Sequence, residues 1–129
     1  MALTVLKLGG RVAAASVRTA LADAGARTVV VHGAGPQISS EMERRGITPT
    51  FVHGRRVTTP EVLEVVRASL AAVNAEVCAA IGPSAVPLFG DAIGLRARHV
   101  EALGLVGDPA AELQHDEAAH VVYSALSRT

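Results

Sequence analysis

The sequence predicts an α/β fold in which a mainly parallel sheet is flanked by helices on both faces. Two apolar runs, Leu3–Leu8 and Thr28–His32, each end at glycine and are followed by a helical pattern. Nearly continuous apolar character is typical of strands that are covered on both faces. Two consecutive strand–helix units also require right-handed crossovers, which make the strands parallel.

The first two helices are predicted between and after these strands. The first covers Ala13–Ala24, where apolar residues recur at helical spacing on one face. The second covers Gln37–Arg45, with Pro36 at a favourable first-turn position and Gly46 just beyond its end.

A hairpin and a long helix are predicted next. Phe51-Val52 and Arg56-Val57 are the two strands of the hairpin, separated by residues 53–55. Thr59 is predicted to cap a long helix with an apolar stripe, which ends at residues 82–84. Further along, the predicted elements are a strand at Ala85–Phe89, an exposed antiparallel strand at Ile93–Val100 and a last helix at Asp116–Leu126.

Composition favours one folded domain over residues 1–129. Half of the residues are hydrophobic and 19% are charged, a balance typical of a globular core. The 12 basic and 12 acidic residues cancel and form no basic run, which argues against nucleic acid as a partner. Cys78 is the only cysteine, so no internal disulfide forms, and we expect a reducing cytoplasm. No stretch is apolar and long enough for a signal peptide or a membrane span, so no membrane partner is expected.

The glycines at the strand ends predict a phosphate site. The carboxyl ends of parallel strands lie beside helix N-termini, where free backbone N–H groups can bind anions. Lys7, inside the first of these motifs, would add a positive charge. The alternative is a pair of tight turns and a solvated lysine. The candidate phosphate-binding residues are Gly9, Gly10, Gly33, Ala34 and Gly35.

Ala34 leaves one question open at this site. An alanine with positive φ would cost about 1 kcal/mol, whereas with negative φ it is harmless and its N–H stays available. The sequence is compatible with either conformation.

Arg56 is the candidate for binding a substrate carboxylate. A guanidinium matches a carboxylate with two parallel hydrogen bonds. Side chains alternate along an extended segment, so Arg55 should point to the opposite side. The alternative is that Arg56 is a solvated charge of the hairpin.

The order of these motifs resembles the amino-acid kinase family, and within it the acetylglutamate kinases. The resemblance rests on Lys-x-Gly-Gly at residues 7–10, Val-His-Gly-x-Gly-Pro at residues 31–36 and Gly-x-Arg-Val-Thr at residues 54–58. Weaker matches continue with Val73-Asn74, Ala85–Asp91, Gly104–Asp108 and Asp116–Ala119, so that nearly the whole chain is covered.

The resemblance assigns roles to particular residues. It implies that Lys7 holds the transferring phosphate, that Arg56 holds the substrate's α-carboxylate and that Asp116 is the catalytic aspartate. Gln114 stands where the family has a substrate-binding asparagine, and the other asparagine is replaced by Glu112, whose charge would oppose a carboxylate substrate. For Asp116, capping of the last helix is an equal alternative. ATP with Mg is the implied cofactor, and no structural metal site is predicted, because the five histidines lack metal-ligand spacing.

The implied function is the ATP-dependent phosphorylation of the side-chain carboxylate of N-acetylglutamate, in arginine biosynthesis. Family enzymes carry a second domain that binds the nucleotide. The chain matches only the substrate-binding half, so little turnover is expected of it alone. The small-molecule partner is an acyl-amino acid, and a homodimer and a separate chain with the nucleotide domain are both left open. The alternative function is a non-catalytic ligand-binding or subunit-interaction remnant, and general Rossmann-type binding is disfavoured because Gly-x-Gly-x-x-Gly is missing.

Overall fold

The first two strands pair in parallel, as predicted. The fold is taken from a computed structural model, which describes residues 3–9, 14–24 and 27–109. Strand β1 (Thr4–Leu8) pairs with β2 (Thr28–His32) in a register that places Leu8 beside His32. Helix α1 (Ala14–Ala24) forms the crossover. The sequence prediction of both strands and of their common direction is confirmed.

Two further helices follow: the second begins as predicted, whereas the first begins at Gly35, two residues before the predicted Gln37. Helix α2 (Gly35–Arg44) starts directly after β2 and has proline in its first turn. Helix α3 (Pro60–Ile81) is preceded by Thr59, whose hydroxyl oxygen accepts a hydrogen bond of 3.2 Å from the backbone N–H of Val62. This bond satisfies one of the amide donors that a helix leaves free at its start.

The hydrophobic core lies between α2 and α3. One cluster of buried residues there consists of Ala34, Ile38, Met42, Val62 and Val65. Partly buried aliphatic side chains extend it along α3, with Val66, Leu70 and Val73 packed against the same cluster. The predicted apolar stripe of the long helix is therefore the face that it buries.

The predicted hairpin forms with one strand shifted by one residue. Strand β3 (Phe51–Val52) pairs antiparallel with β4 (Arg55–Arg56), not with residues 56 and 57. The turn holds only His53 and Gly54, and both have positive φ, 49° and 76°. Two consecutive residues with positive φ make the tight turn that matches the twist of a hairpin, which is why the loop is shorter than predicted.

The carboxyl-terminal part of the described chain is less regular. Strand β5 (Ala97–His99) pairs antiparallel with β6 (Gly107–Pro109), and a 3-10 helix at Glu101–Leu103 lies between them. Only this short part of the predicted strand 93–100 forms. The predicted strand at Ala85–Phe89 is wrong, since this segment is irregular. It contains Pro87, which cannot donate a hydrogen bond to a neighbouring strand.

The described residues do not test three further fold predictions. The described parallel pairing contains two strands, so a wider sheet covered by helices on both faces stays a prediction, as does the single domain over residues 1–129. The predicted helix at Asp116–Leu126 lies outside the described residues. No helix within the described ranges has the length and apolarity needed to span a bilayer.

Candidate functional site

Both glycine motifs lie at the same edge of the parallel pair. Gly9 follows Leu8 and Gly33 follows His32, and these two preceding residues are register partners. Paired strands are about 4.8 Å apart, so the two chain segments leave the sheet side by side. This confirms the predicted common edge, on which the idea of one shared phosphate site depends.

The space beside the glycine backbone is open. A Cβ atom added at Gly9 or at Gly35 would meet no atom of the described residues within 4 Å. Gly35 is also the first residue of α2, a position where a helix presents free N–H groups and the positive end of its dipole. The edge therefore offers open space beside the backbone at the start of α2. Gly10 lies outside the described residues.

Ala34 adopts the conformation in which alanine is harmless. Its φ is −148° and its ψ is 24°, so no left-handed strain arises. Its side chain is buried in the core beside Ile38 and Met42. The methyl group thus anchors the loop to the core, while the backbone remains at the start of α2.

Arg56 reaches the same loop from the hairpin. Its Nη2 donates to the carbonyl oxygen of Gly35 at 3.2 Å and to the hydroxyl of Ser39 at 3.1 Å, and both contacts are only partly buried. Its Nη1 contacts the sulfur of Met42 at 3.3 Å. The Phe51 ring, directly across the hairpin, lies 4.7 Å from the guanidinium carbon.

The guanidinium of Arg56 is buried without a neutralising partner in the described part of the chain. The residue is 6% exposed, its Nε has no hydrogen-bond partner, and none of the ion pairs between described residues includes it. Burial lowers the pKa of Arg56, since desolvation disfavours its charged form. An arginine nevertheless stays protonated, so the site holds a positive charge that an anion would compensate.

The neighbouring Arg55 points elsewhere, as the alternation predicts. Its Nη1 donates to Asp108 at 2.7 Å and its Nη2 donates to the carbonyl oxygen of Gly107 at 3.0 Å. Arg55 therefore joins the hairpin to β6. Of the two adjacent arginines, only Arg56 lies at the glycine edge.

The other predicted site residues divide into two groups. Lys7 lies near the end of β1 with an exposed side chain, and no carboxylate among the described residues pairs with it. Asp116 and Gln114 lie outside the described residues, as does Glu112. The catalytic and substrate-binding roles of all these residues stay predictions.

A polar chain behind the loop was not predicted. Asn74 of α3 lies with its Nδ2 3.1 Å from Nε2 of His32, and Nδ1 of His32 lies 3.2 Å from the carbonyl oxygen of Gly33. Cys78, one turn further along α3, donates to Oδ1 of Asn74 at 3.7 Å. Both His32 and Asn74 belong to motifs of the sequence, but their spacing of 42 residues hides the contact.

No metal centre is evident in the part of the chain that the structure describes. Its histidine, cysteine and acidic side chains form no group of three or more that could hold an ion. The cationic side chain that contacts the glycine backbone is that of Arg56, and a guanidinium suits phosphate and carboxylate ligands.

Comparison with known proteins defines the class. A sequence profile described as the amino acid kinase family matches residues 2–122. This match covers nearly the whole sequence, including the glycine edge and the hairpin with Arg56. The chain belongs to the amino acid kinase family, which agrees with its α/β character.

Curated relatives narrow the similarity to acetylglutamate kinases. The chain is similar to the acetylglutamate kinase of Frankia alni, with 42% identity over 83% of this chain and 37% of the relative. Identity is 46% to that of Frankia casuarinae, over 68% of this chain and 28% of the relative. Identity to the acetylglutamate kinase of Clavibacter michiganensis is 49%, over 66% of this chain and 32% of the relative. The chain thus spans about a third of the length of these relatives.

Proposed function

We propose that this chain forms the substrate-binding part of an acetylglutamate kinase, with Arg56 as the residue that binds the α-carboxylate of N-acetylglutamate. One observation carries the proposal: a buried guanidinium without an anionic partner lies beside the glycine edge. A buried charge is costly unless it is paired, and a planar carboxylate is the partner that a guanidinium fits best. The similarity to acetylglutamate kinases suggests N-acetylglutamate as the substrate.

The glycine edge is proposed to bind the phosphate groups of ATP. The donor set fits this group, because Gly9 and Gly35 leave open space at the backbone and Lys7 is exposed nearby. When bound with Mg²⁺, ATP supplies the γ-phosphoryl group, which the side-chain carboxylate of the substrate accepts to give an acyl phosphate and ADP. Lys7 and the backbone N–H groups would stabilise negative charge on the phosphoryl oxygens.

The arrangement also explains how the two ligands would be oriented. Arg56 contacts the carbonyl of Gly35, whose N–H belongs to the proposed phosphate loop. The α-carboxylate of the substrate and the phosphate of ATP would therefore bind on adjacent sides of the start of α2. Fixing two reactants in such proximity is a large part of catalysis by phosphotransferases. Catalysis by Asp116, substrate binding by Gln114, and a cytoplasmic location belong to the same proposal.

Calorimetric titration with N-acetylglutamate tests the substrate assignment. Binding is a better measure than turnover, because the chain spans only 28% to 37% of the length of the relatives named above. We expect Arg56→Lys to weaken binding about tenfold or more, since lysine keeps the charge but cannot make two parallel bonds. Arg55→Lys is the matched control and should bind as the parent does.

The outcomes separate the alternatives. Equal affinity in the parent and in Arg56→Lys, with loss in Arg55→Lys, would reverse the assignment of the two arginines. No binding by a folded parent chain would remove the substrate assignment altogether. Binding of N-acetylglutamate without any effect of MgATP would favour the non-catalytic ligand-binding alternative.

A further inference from the structure

Asn74 is an unusual residue for its position in α3. Between Leu70 and Ile81 the helix consists almost entirely of alanine and aliphatic residues, and Asn74 and Glu76 are the only strongly polar side chains. Glu76 is exposed, whereas Asn74 is half-buried. Asparagine is also a poorer helix former than alanine. The hydrogen bonds of Asn74 therefore indicate what its polar side chain does at this position.

The contacts of Asn74 define a hydrogen-bond direction. The carbonyl oxygen of Gly33 can only accept, so Nδ1 of His32 carries the proton in the 3.2 Å contact. In the neutral ring Nε2 is then an acceptor, which matches the amide nitrogen of Asn74 at 3.1 Å. The amide oxygen of Asn74 accepts from Cys78. In this series of hydrogen bonds, every donor points from α3 towards the glycine loop.

The last bond of this chain fixes a peptide plane of the loop. The described peptide bonds are all trans, so the carbonyl of Gly33 and the N–H of Ala34 point in opposite directions. Holding the carbonyl against the His32 ring therefore directs the Ala34 N–H away from the ring. A preorganised donor stabilises an anion better than one that must first reorient.

We propose that Asn74 and His32 are positioning residues, which orient the Gly33–Ala34 peptide so that its N–H faces a bound phosphate. This inference rests on the proposed phosphate role of the glycine edge. Neither side chain needs to touch the ligand. Asn74 selects the ring tautomer of His32, and that tautomer holds the loop.

Nitrogen NMR of the ¹⁵N-labelled chain, without ligand, tests the first step. The parent should show His32 protonated at Nδ1 and unprotonated at Nε2. Asn74→Asp removes the donor that faces Nε2 and places an acceptor there, so Nε2 should become protonated. Asn74→Ala should leave the two tautomers mixed. Glu76→Ala, an exposed change on the same helix, is the matched control and should leave the His32 signals unchanged.

Titration with inorganic pyrophosphate, followed by the amide signals of Ala34 and Gly35, tests the second step. The loss of one neutral hydrogen bond should weaken pyrophosphate binding about threefold to tenfold in Asn74→Ala. Glu76→Ala should bind as the parent does. Far-UV circular dichroism checks that α3 remains helical in each variant.

Three results would overturn the inference, and they differ in what else they remove. A parent His32 protonated at Nε2 alone would contradict the hydrogen-bond direction. Unchanged pyrophosphate affinity in Asn74→Ala, despite a changed tautomer, would refute the positioning role and leave the phosphate site intact. Lack of pyrophosphate binding by the parent would refute the phosphate site and this inference together, but not the carboxylate role of Arg56.

Discussion

The pair of helices α2 and α3 differs sharply from the segment 83–96 that follows them. Between the helices, the side chains of Ile38, Met42 and Val65 are fully buried against one another. In the following segment four large apolar side chains are exposed, with Val86 the most accessible at 73%. That segment forms no regular helix or strand.

The difference shows that apolar residues stabilise a fold only where another element covers them. The helix pair buries a common face and so holds the start of α2, the hairpin and Arg56 in fixed positions. Every described residue of the proposed site is attached to this helix pair or to the paired strands. The segment 83–96 contributes none of them. The two regions should therefore respond differently to mutation.

Removing a core side chain should have the largest effect. Ile38→Ala leaves a cavity where the side chain was completely buried, and we expect the free energy of unfolding to fall by about 2–5 kcal/mol. Val86→Ala, in the exposed segment, should change it by no more than about 0.5 kcal/mol. Urea unfolding measures both. Similar losses in the two variants would show that segment 83–96 is packed as firmly as the helix pair.

Replacing Gly104 by alanine should give the next largest loss in the free energy of unfolding, and Gly35→Ala is its control. Gly104 has a φ of 79°, and an added Cβ would collide with the carbonyl of Thr58, to which this segment is bridged. Gly104→Ala should lower the free energy of unfolding by at least about 1–2 kcal/mol. Gly35→Ala places its methyl group in open space and should cause no loss.

The Gly35→Ala variant also tests the proposed phosphate site. If phosphate approaches the backbone of Gly35, the added methyl group should obstruct it, and pyrophosphate binding should weaken although stability is kept. Amide chemical shifts measure the affinity, and urea unfolding measures the stability of the same sample. A variant that binds pyrophosphate like the parent would move the phosphate site away from the start of α2.

Acid titration should reveal the smallest effect, at the exposed end of α2. Hydrogen bonds from Arg44 and Arg45 lower the pKa of Glu41 from 4.5 to about 2. A lowered folded-state pKa stabilises the fold above the unfolded value, and the contribution is lost as the pH falls from 4.5 through about 2. Glu41→Gln should therefore be slightly less stable than the parent above pH 4.5, and thermal unfolding at several pH values should show the difference vanish in acid.

The sequence was sufficient for elements whose signals are local. The apolar runs predicted the two parallel strands and Thr59 predicted the start of α3, which the structure confirms. Pro36 predicted α2, which begins two residues before the expected Gln37. The alternation along the hairpin also predicted that Arg56 and Arg55 separate. In each case the signal that allowed the prediction lies in residues within a few positions of one another.

The remaining features depend on contacts that are distant in sequence. Residues 85–89 have the apolar composition of a strand, but a strand needs a partner, and Pro87 removes a donor. The conformation of Ala34 depends on how its methyl group packs against α2 and α3. The contact between His32 and Asn74 forms only because α3 passes behind the end of β2.

The most direct test of the central claim compares two ligands that differ only in the group that Arg56 should bind. N-acetylglutamate carries the α-carboxylate, and 4-acetamidobutyrate has the same acyl-amide chain and terminal carboxylate without it. Calorimetric titration of the parent chain and of Arg56→Lys with both ligands isolates this one contact. We predict that the parent prefers N-acetylglutamate about tenfold or more and that Arg56→Lys loses most of this preference. An equal preference in both proteins would contradict the assignment of Arg56 to the α-carboxylate.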